Sequence, residues 1–222
     1  MKRFIKELSL MSIYVIIPLI TNLLYLPYKC IYATSCSYNG LNFGDSSFSV
    51  FDSFIIIALL VIPTAQCVWL FMLLGEIYDG IGNDILLRHR RFNLIRIIRL
   101  DILFIVTLIP IFLVYSGLFH KSAGNYVIGE IFRDIIMVFL ISGLFYLLIV
   151  IFRNPMVAGV VCFMYIAFNI FLDSSIRILD KLKYYRGSLV TVKMLCKEYW
   201  LIMFFAVVLH GVAYYLDQKS AR

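Results

Sequence analysis

Residues 51–74 read FDSFIIIALLVIPTAQCVWLFMLL and contain one charged residue, Asp52. A helix needs about 20 mostly apolar residues to cross the hydrocarbon core of a bilayer, and this stretch satisfies that requirement. Five further stretches have the same character, of which 156–172 is the shortest. The six predicted spans are 8–26, 51–74, 102–119, 131–152, 156–172 and 199–216. The sequence therefore predicts an all-α polytopic membrane protein with six transmembrane helices.

The composition of the whole chain supports this class. Of 222 residues, 63% are hydrophobic and 15% are charged, and the mean hydropathy is +0.95. Soluble domains carry about 45–50% apolar and about 25% charged residues. The composition excludes a soluble enzyme, a disordered chain and a disulfide-stapled secreted domain. It predicts a single transmembrane domain covering residues 1–222.

The basic residues predict the orientation in the bilayer. The net charge is +7, and the basic residues mostly lie between apolar stretches, where they contact lipid headgroups and set topology. With the amino end inside, the inner segments hold 11 Lys and Arg residues and the outer segments hold 9. The connection before the last helix contributes most of the outer ones. We expect a multi-pass cell-membrane protein with both termini cytoplasmic, the lipid bilayer as its surroundings and no nucleic-acid partner.

Cysteine and histidine spacing argues against a metal site. The chain has no Cys-x-x-Cys motif, and its three histidines belong to separate segments. Cys30 and Cys36 share the predicted outer loop at about 27–50, where an oxidising exterior would allow them to form a disulfide. The sequence predicts no metal on this chain.

Polar residues inside the predicted spans include Gln66, Ser142, Asn169 and His210. Such residues are costly in a bilayer, and they either line a pathway or form hydrogen bonds between helices. Ser142 and His210 lie at similar depths, as the serine and histidine of rhomboid-type intramembrane proteases do. The serine context here is Leu-Ile-Ser-Gly instead of Gly-x-Ser-Gly, which favours a helix-packing contact. We therefore expect no catalytic residues and no enzyme activity on this chain.

The connection between the second and third spans carries the most informative pattern. Residues 75–101 read GEIYDGIGNDILLRHRRFNLIRIIRLD. Gly80 and Gly82 end the preceding helix, and Asn83 or Asp84 can cap a short new one. A basic cluster follows, and then an amphipathic run of the kind that lies at a membrane interface. The short helix could dock in a groove of a cytosolic partner, or the basic loop could bind anionic lipid headgroups.

This pattern resembles the membrane subunits of ABC-2-type ABC exporters. In that family an acidic residue leaves the second helix and is followed by a glycine, a second acidic residue, a leucine pair and basic residues. The matching residues are Glu76, Gly80, Asp84, Leu86, Leu87, Arg88, Arg90 and Arg91. The resemblance implies that these residues form a cytoplasmic coupling helix that docks on a separate ATP-binding cassette subunit. It also implies an outer helical excursion between helices 5 and 6, for which 174–196 is the matching stretch.

The resemblance further implies that ATP binding and cargo passage belong to different subunits. The chain has no Gly-x-x-x-x-Gly-Lys-Ser/Thr phosphate loop, so ATP and Mg²⁺ are expected on the partner subunit. The chain would pair with a second membrane subunit, alike or different, and form the pathway for an amphipathic or hydrophobic cargo such as a peptide. Two alternatives remain open: the substrate-binding subunit of an energy-coupling vitamin importer, and a non-transporting accessory or immunity protein. The importer is disfavoured because 8–26 lacks the alanines of that family's docking motif.

Overall fold

The computed structural model describes residues 16–32, 46–79, 93–171, 183–184 and 189–220. Over these residues the chain is almost entirely helical and contains no strand. The prediction of an all-α fold is confirmed for this part of the chain.

Seven helical elements make up the described structure. The first, α1, covers 16–32 and contains a π-helical turn at Thr21–Tyr25. The others are α2 (Ser46–Asp79), α3 (Asn93–Thr107), α4 (Ile109–Phe152), α5 (Pro155–Phe171), α6 (Val192–Glu198) and α7 (Trp200–Ser220).

Four helical stretches in the described residues are long and apolar enough to cross a membrane. They are Phe54–Leu74, Ile97–His120, Ala123–Phe152 and Trp200–Lys219, and they correspond to the second, third, fourth and sixth predicted spans. The predicted fifth span is a shorter apolar helix, Pro155–Ile170. Part of the predicted first span, 8–15, lies outside the described residues. Six spans and the orientation of the termini therefore remain predictions.

The third and fourth spans form a hairpin that turns at Ala123. The helical dihedral angles are interrupted there, with φ −137° and ψ 24°. Asp101 lies before the turn and contacts Ser142 beyond it, so the two arms run antiparallel. The predicted loop between these spans is nearly absent, because both helices are longer than the sequence indicated. Asp101 consequently falls inside a candidate span instead of at its margin.

Proline and asparagine set two further interruptions. Pro110 stands at the start of α4, and the helix breaks at Leu108, whose N–H bonds to the Ile105 carbonyl at 2.9 Å. A proline lacks the backbone donor that would continue the preceding helix. Between α4 and α5, Asn154 Oδ1 accepts from the N–H of Met156 at 2.8 Å, and Pro155 is the first residue of α5. Residues 153–155 therefore form the turn between the two helices, with proline in the position that suits a helix start.

The long arm of α4, Ala123–Phe152, occupies the centre of the bundle. It packs against α2, α3, α5 and α7. We call the two ends of the bundle the Ala123 end and the Arg153 end, after the turns found there. Because this arm contacts most of the other elements, polar residues on its faces are the ones that can join several helices at once.

Candidate functional site: a polar centre between four helices

Four polar side chains from four helices meet inside the bundle. Gln66 belongs to α2, Asp101 to α3, Ser142 to α4 and His210 to α7. Three of them are at most 1% exposed, and the histidine side chain is 12% exposed. We call this group the polar centre. The sequence singled out three of its members as polar residues at membrane depth, and the structure brings those three together.

Asp101 accepts hydrogen bonds from two of the other three residues and lies close to the third. Its Oδ2 accepts from Ser142 Oγ at 2.6 Å, and its Oδ1 accepts from Gln66 Nε2 at 3.2 Å. The His210 Nε2 atom lies 3.8 Å from Oδ2. A buried carboxylate is stabilised by hydrogen bonds and an opposite charge, and Asp101 has access to both.

His210 is oriented by its own helix and by a glycine of α4. Its Nδ1 lies 2.8 Å from the Ala206 carbonyl oxygen, and since a carbonyl only accepts, Nδ1 carries a proton. Its Nε2 then faces Ser142 Oγ at 3.2 Å. The ring lies so close to Gly143 that a Cβ there would stand 2.6 Å from Nδ1. Glycine at 143 is therefore what admits the imidazole to the centre.

The order of these groups differs from that of a serine-protease triad. In a triad the serine and the carboxylate contact opposite nitrogens of the histidine. Here Ser142 and Asp101 both face Nε2, and a backbone carbonyl takes the other nitrogen. The serine hydroxyl also bonds directly to the carboxylate. This geometry joins helices through hydrogen bonds and does not reproduce the proton relay of a triad.

A second group of charges lies nearer the Ala123 end. Arg133 and Glu130 form an ion pair on α4, and their side chains are 1% and 0% exposed. The N–H of Val190 donates to Glu130 Oε1 at 2.7 Å. Asp134 and Tyr115 are buried beside them. We call Tyr115, Glu130, Arg133 and Asp134 the acidic cluster, because two of its members are carboxyls and one is basic.

The buried polar side chains of both groups follow a path that winds around α4: Glu130, Asp134, Ser142 and Tyr146. We call this path the polar line. Between Asp134 and Ser142, the Val138 carbonyl accepts from Gln66 Nε2 at 2.8 Å, and farther along, the Tyr146 hydroxyl donates to Asp217 Oδ2 at 3.2 Å. Each four-residue step turns by about 40°, and sixteen residues extend about 24 Å along the axis. Buried polar groups therefore recur through most of the thickness of a bilayer and face different neighbours at different depths.

Asn169, the fourth predicted pathway residue, lies apart from this line. Its Oδ1 accepts from the N–H of Tyr184 at 2.7 Å, and its Nδ2 donates to the Tyr165 carbonyl at 2.8 Å. The Tyr184 hydroxyl donates to the Leu59 carbonyl at 3.3 Å. Burial raises the pKa of Tyr184, so its phenol stays protonated and remains a donor. These contacts hold part of the connection between α5 and α6 against the bundle.

The predicted coupling residues are largely outside the described structure. Glu76 lies within the helical range of α2, but its side chain is not among those described. The others are outside the described residues: Gly80, Asp84, Leu86, Leu87, Arg88, Arg90 and Arg91. Their docking role stays a prediction.

The predicted disulfide also stays untested, because Cys36 lies outside the described residues. Cys30 is buried, and desolvation raises the pKa of its thiol to about 12. A thiol in that state is almost entirely protonated at neutral pH and is a poor nucleophile for disulfide exchange. In the described part of the chain, no group of three or more His, Cys, Asp or Glu residues could hold a metal ion.

Sequence reasoning missed Asp101, Glu130, Arg133 and Asp134. Each was placed at the edge of a span or left unassigned, because a charged residue normally marks where a span ends. The available signal was the recurrence of Glu130, Asp134, Ser142 and Tyr146 at multiples of four residues within a mostly apolar stretch. Residues four apart are neighbours on a helix surface, so this recurrence indicates a path of buried polar groups along the helix.

The described helices define an all-α protein of the membrane-embedded type, with four helices long and apolar enough to span. Comparison with known proteins does not narrow this class further. The chain matches no protein-family model, no curated protein and no solved structure with which it was compared.

Proposed function

We propose that the chain is the membrane subunit of an ATP-driven exporter of the ABC-2 type. It forms the translocation pathway for an amphipathic or hydrophobic cargo and couples to a separate ATP-binding cassette subunit. One observation carries the proposal. Gln66 and Asp101, which are hydrogen-bonded at 3.2 Å, belong to the two helices that flank the coupling pattern.

This hydrogen bond lies where it can transmit motion from the coupling pattern to the other helices. Gln66 lies ten residues before Glu76 on α2, about 15 Å along that helix. Asp101 lies eight residues after Asn93, the first described residue of α3, about 12 Å along that helix. A partner that pushes on residues 76–91 would move α2 and α3, and the hydrogen bond between these helices would carry the motion into the polar centre. From there Ser142 and His210 pass it to α4 and α7.

The polar line on α4 supports a moving pathway rather than an inert anchor. Ionisable residues at membrane depth are costly, and they are found mainly where substrates, ions or helices move. Hydrogen-bonded pairs between helices can exchange partners during a rigid-body rearrangement of the kind seen in hinge and shear transitions. In this proposal ATP binding on the partner drives such a rearrangement, and this chain contributes no bond-making chemistry.

The proposed assembly contains two membrane subunits and two ATP-binding subunits. ATP and Mg²⁺ are held by the partner. Arg88, Arg90 and Arg91 would face acidic surfaces of that partner, where such contacts steer encounter and orientation. Leu86 and Leu87 would enter its groove, since apolar anchors supply most of the binding energy at a helix-in-groove interface.

Purification in mild detergent tests the proposal. The tagged chain is isolated from its native host with Leu86 and Leu87 intact, with both changed to Asp, or with both changed to Met as the matched control. We expect a P-loop ATPase and vanadate-sensitive ATP hydrolysis to accompany the intact chain and the Met variant. The Asp variant should lose both. An intact chain that purifies without any ATPase, or an Asp variant that keeps it, would refute the assignment.

A further inference from the structure

Asp134 differs from the other buried carboxyls of the described structure. Neither of its oxygens has a hydrogen-bond partner among the described residues, and the side chain is 1% exposed. Glu130 pairs with Arg133 and accepts from the Val190 N–H. Asp101 accepts from the Ser142 hydroxyl, and Asp217 accepts from the Tyr146 hydroxyl. Asp134 is thus a carboxyl at membrane depth to which the described structure supplies no dedicated donor.

The groups that face Asp134 do not offset a full negative charge. Its own helix contributes Arg133, which is paired with Glu130. The preceding arm of the hairpin contributes Tyr115, whose buried hydroxyl also lacks a described hydrogen-bond partner.

The remaining elements bring mostly apolar groups to this part of the bundle. From α2, Phe51 and Phe54 pack on the Tyr115 ring. α7 brings His210, which lies near Asp101, and the connection before α6 brings the buried Lys183, whose ammonium group lies over the Phe168 ring. An ionised carboxyl without a partner in such surroundings takes up a proton instead.

A proton fits this position better than a metal cation. Hard cations take six or more oxygen ligands. The described residues offer no group of three or more His, Cys, Asp or Glu around one point, and Glu130 is engaged by Arg133 and by a backbone N–H. A proton needs one carboxyl oxygen and no additional ligands.

A backbone segment covers the cluster from the Ala123 end. The Val190 N–H donates to Glu130 Oε1 at 2.7 Å, and the Val190 carbonyl packs against Gly129 so closely that a Cβ there would collide with it. Leu189 and Val190 are themselves buried. As long as 189–191 stays in place, it separates the carboxyls from water at that end.

We propose that Asp134 is a proton-binding site, loaded while residues 189–191 cover the acidic cluster and able to release its proton when they withdraw. The carboxylate takes one proton from water to become a neutral acid, and it returns that proton to water at the Ala123 end. No other reactant is consumed. The site uses only residues of this chain, so it stands whether or not an ATP-binding partner exists.

Infrared spectroscopy of the full chain in lipid nanodiscs tests the proton directly. A protonated carboxyl gives a carbonyl band that a carboxylate lacks. At neutral pH we expect the wild-type band to lose intensity in Asp134→Asn and to be unchanged in the control Asp217→Asn. The amide is nearly isosteric, so the fold is retained. The proposal would be overturned if Asp134→Asn left the intensity of the carbonyl band unchanged. It would also be overturned if that intensity changed with sodium concentration and not with pH.

A second measurement tests whether residues 189–191 shield the Asp134 carboxyl from water. Gly129→Ala pushes on the Val190 carbonyl, whereas Gly124→Ala meets only the His120 side chain at 3.6 Å. Hydrogen–deuterium exchange at the Asp134 carboxyl should be about tenfold faster in Gly129→Ala than in Gly124→Ala, because opening of the segment admits water. Equal exchange in the two variants would show that 189–191 does not control the site.

Discussion

The polar centre and the acidic cluster are both built on α4, and they differ in how the buried charged groups are partnered. In the polar centre both titratable groups, Asp101 and His210, face each other and share Ser142. In the acidic cluster one ion pair is complete, and Asp134 is left without a hydrogen-bond partner among the described residues. A carboxyl with several partners, such as Asp101, stabilises one arrangement of helices, whereas one without a described partner, such as Asp134, is available to bind a proton. Four substitutions test this distinction.

The largest effect is expected for Asp101→Ala. Ser142 and Gln66 lose their common acceptor, and His210 loses the carboxyl beside it. Breaking a buried pair by removing one partner costs about 3–5 kcal/mol. The free energy of unfolding, measured by denaturation in mixed micelles, should fall by about that amount. Asp217→Ala is the control, since Asp217 lies near the Arg153 end and is 6% exposed. Equal stability of Asp101→Ala and wild type would mean that the polar centre does not hold the helices together.

Gly143→Ala is expected to come next. The new methyl group would lie 2.6 Å from His210 Nδ1, so the imidazole must withdraw, and overpacking of this kind costs about 1–3 kcal/mol. Gly211→Ala is the matched control, because nothing lies within 4 Å of a Cβ at that site. The control should be as stable as wild type or more stable by up to about 1 kcal/mol, since alanine favours helix over glycine. Equal losses in both would contradict the close approach at Gly143.

Gln66→Met is expected to have a smaller effect. It removes the hydrogen bonds to Asp101 and to the Val138 carbonyl while preserving side-chain length. Hydrogen bonds between membrane helices contribute about 0.6 kcal/mol on average. A double-mutant cycle with Asp101→Asn isolates the contribution of the pair. A coupling energy of zero would remove the direct link between α2 and α3 on which the proposed transmission of motion depends.

The smallest effect is expected for Asp134→Asn. If the carboxyl is already neutral, the amide replaces it without loss of charge or of a described hydrogen bond. The free energy of unfolding should change by less than about 1 kcal/mol, the value of a single hydrogen bond. A loss as large as that of Asp101→Ala would show that Asp134 is ionised and paired, and the contrast between the two groups would disappear.

The sequence predicted the helical class and the positions of four long helices well, because apolar runs of that length are read directly from composition. It also identified Gln66, Ser142 and His210, since a polar residue within an apolar stretch is conspicuous. It did not reveal that they meet, because their convergence depends on how α2, α4 and α7 pack.

The charged residues near span ends were harder to place. Arg96, Arg99 and Asp101 suggested an interfacial segment, yet the candidate span begins at Ile97. Glu130 and Arg133 suggested a boundary near 131, yet the helix continues from Ala123. A helix can carry such residues through its interior when another side chain neutralises them, as Arg133 does for Glu130. Partners of this kind belong to the tertiary structure.

The close turns of α3, α4 and α5 have a mechanical consequence. From Asn93 to Phe171 the helical dihedrals or hydrogen bonds are interrupted only at Leu108, at Ala123 and at Arg153–Asn154. Almost no chain is left over in these turns to absorb a displacement, so the three helices have few degrees of freedom relative to one another. A displacement of α3 is therefore shared by α4 and α5, and the three helices move as one body relative to α2 and α7. A tag inserted at Asn154 would loosen that body, and its effect would reach every helix that packs on it.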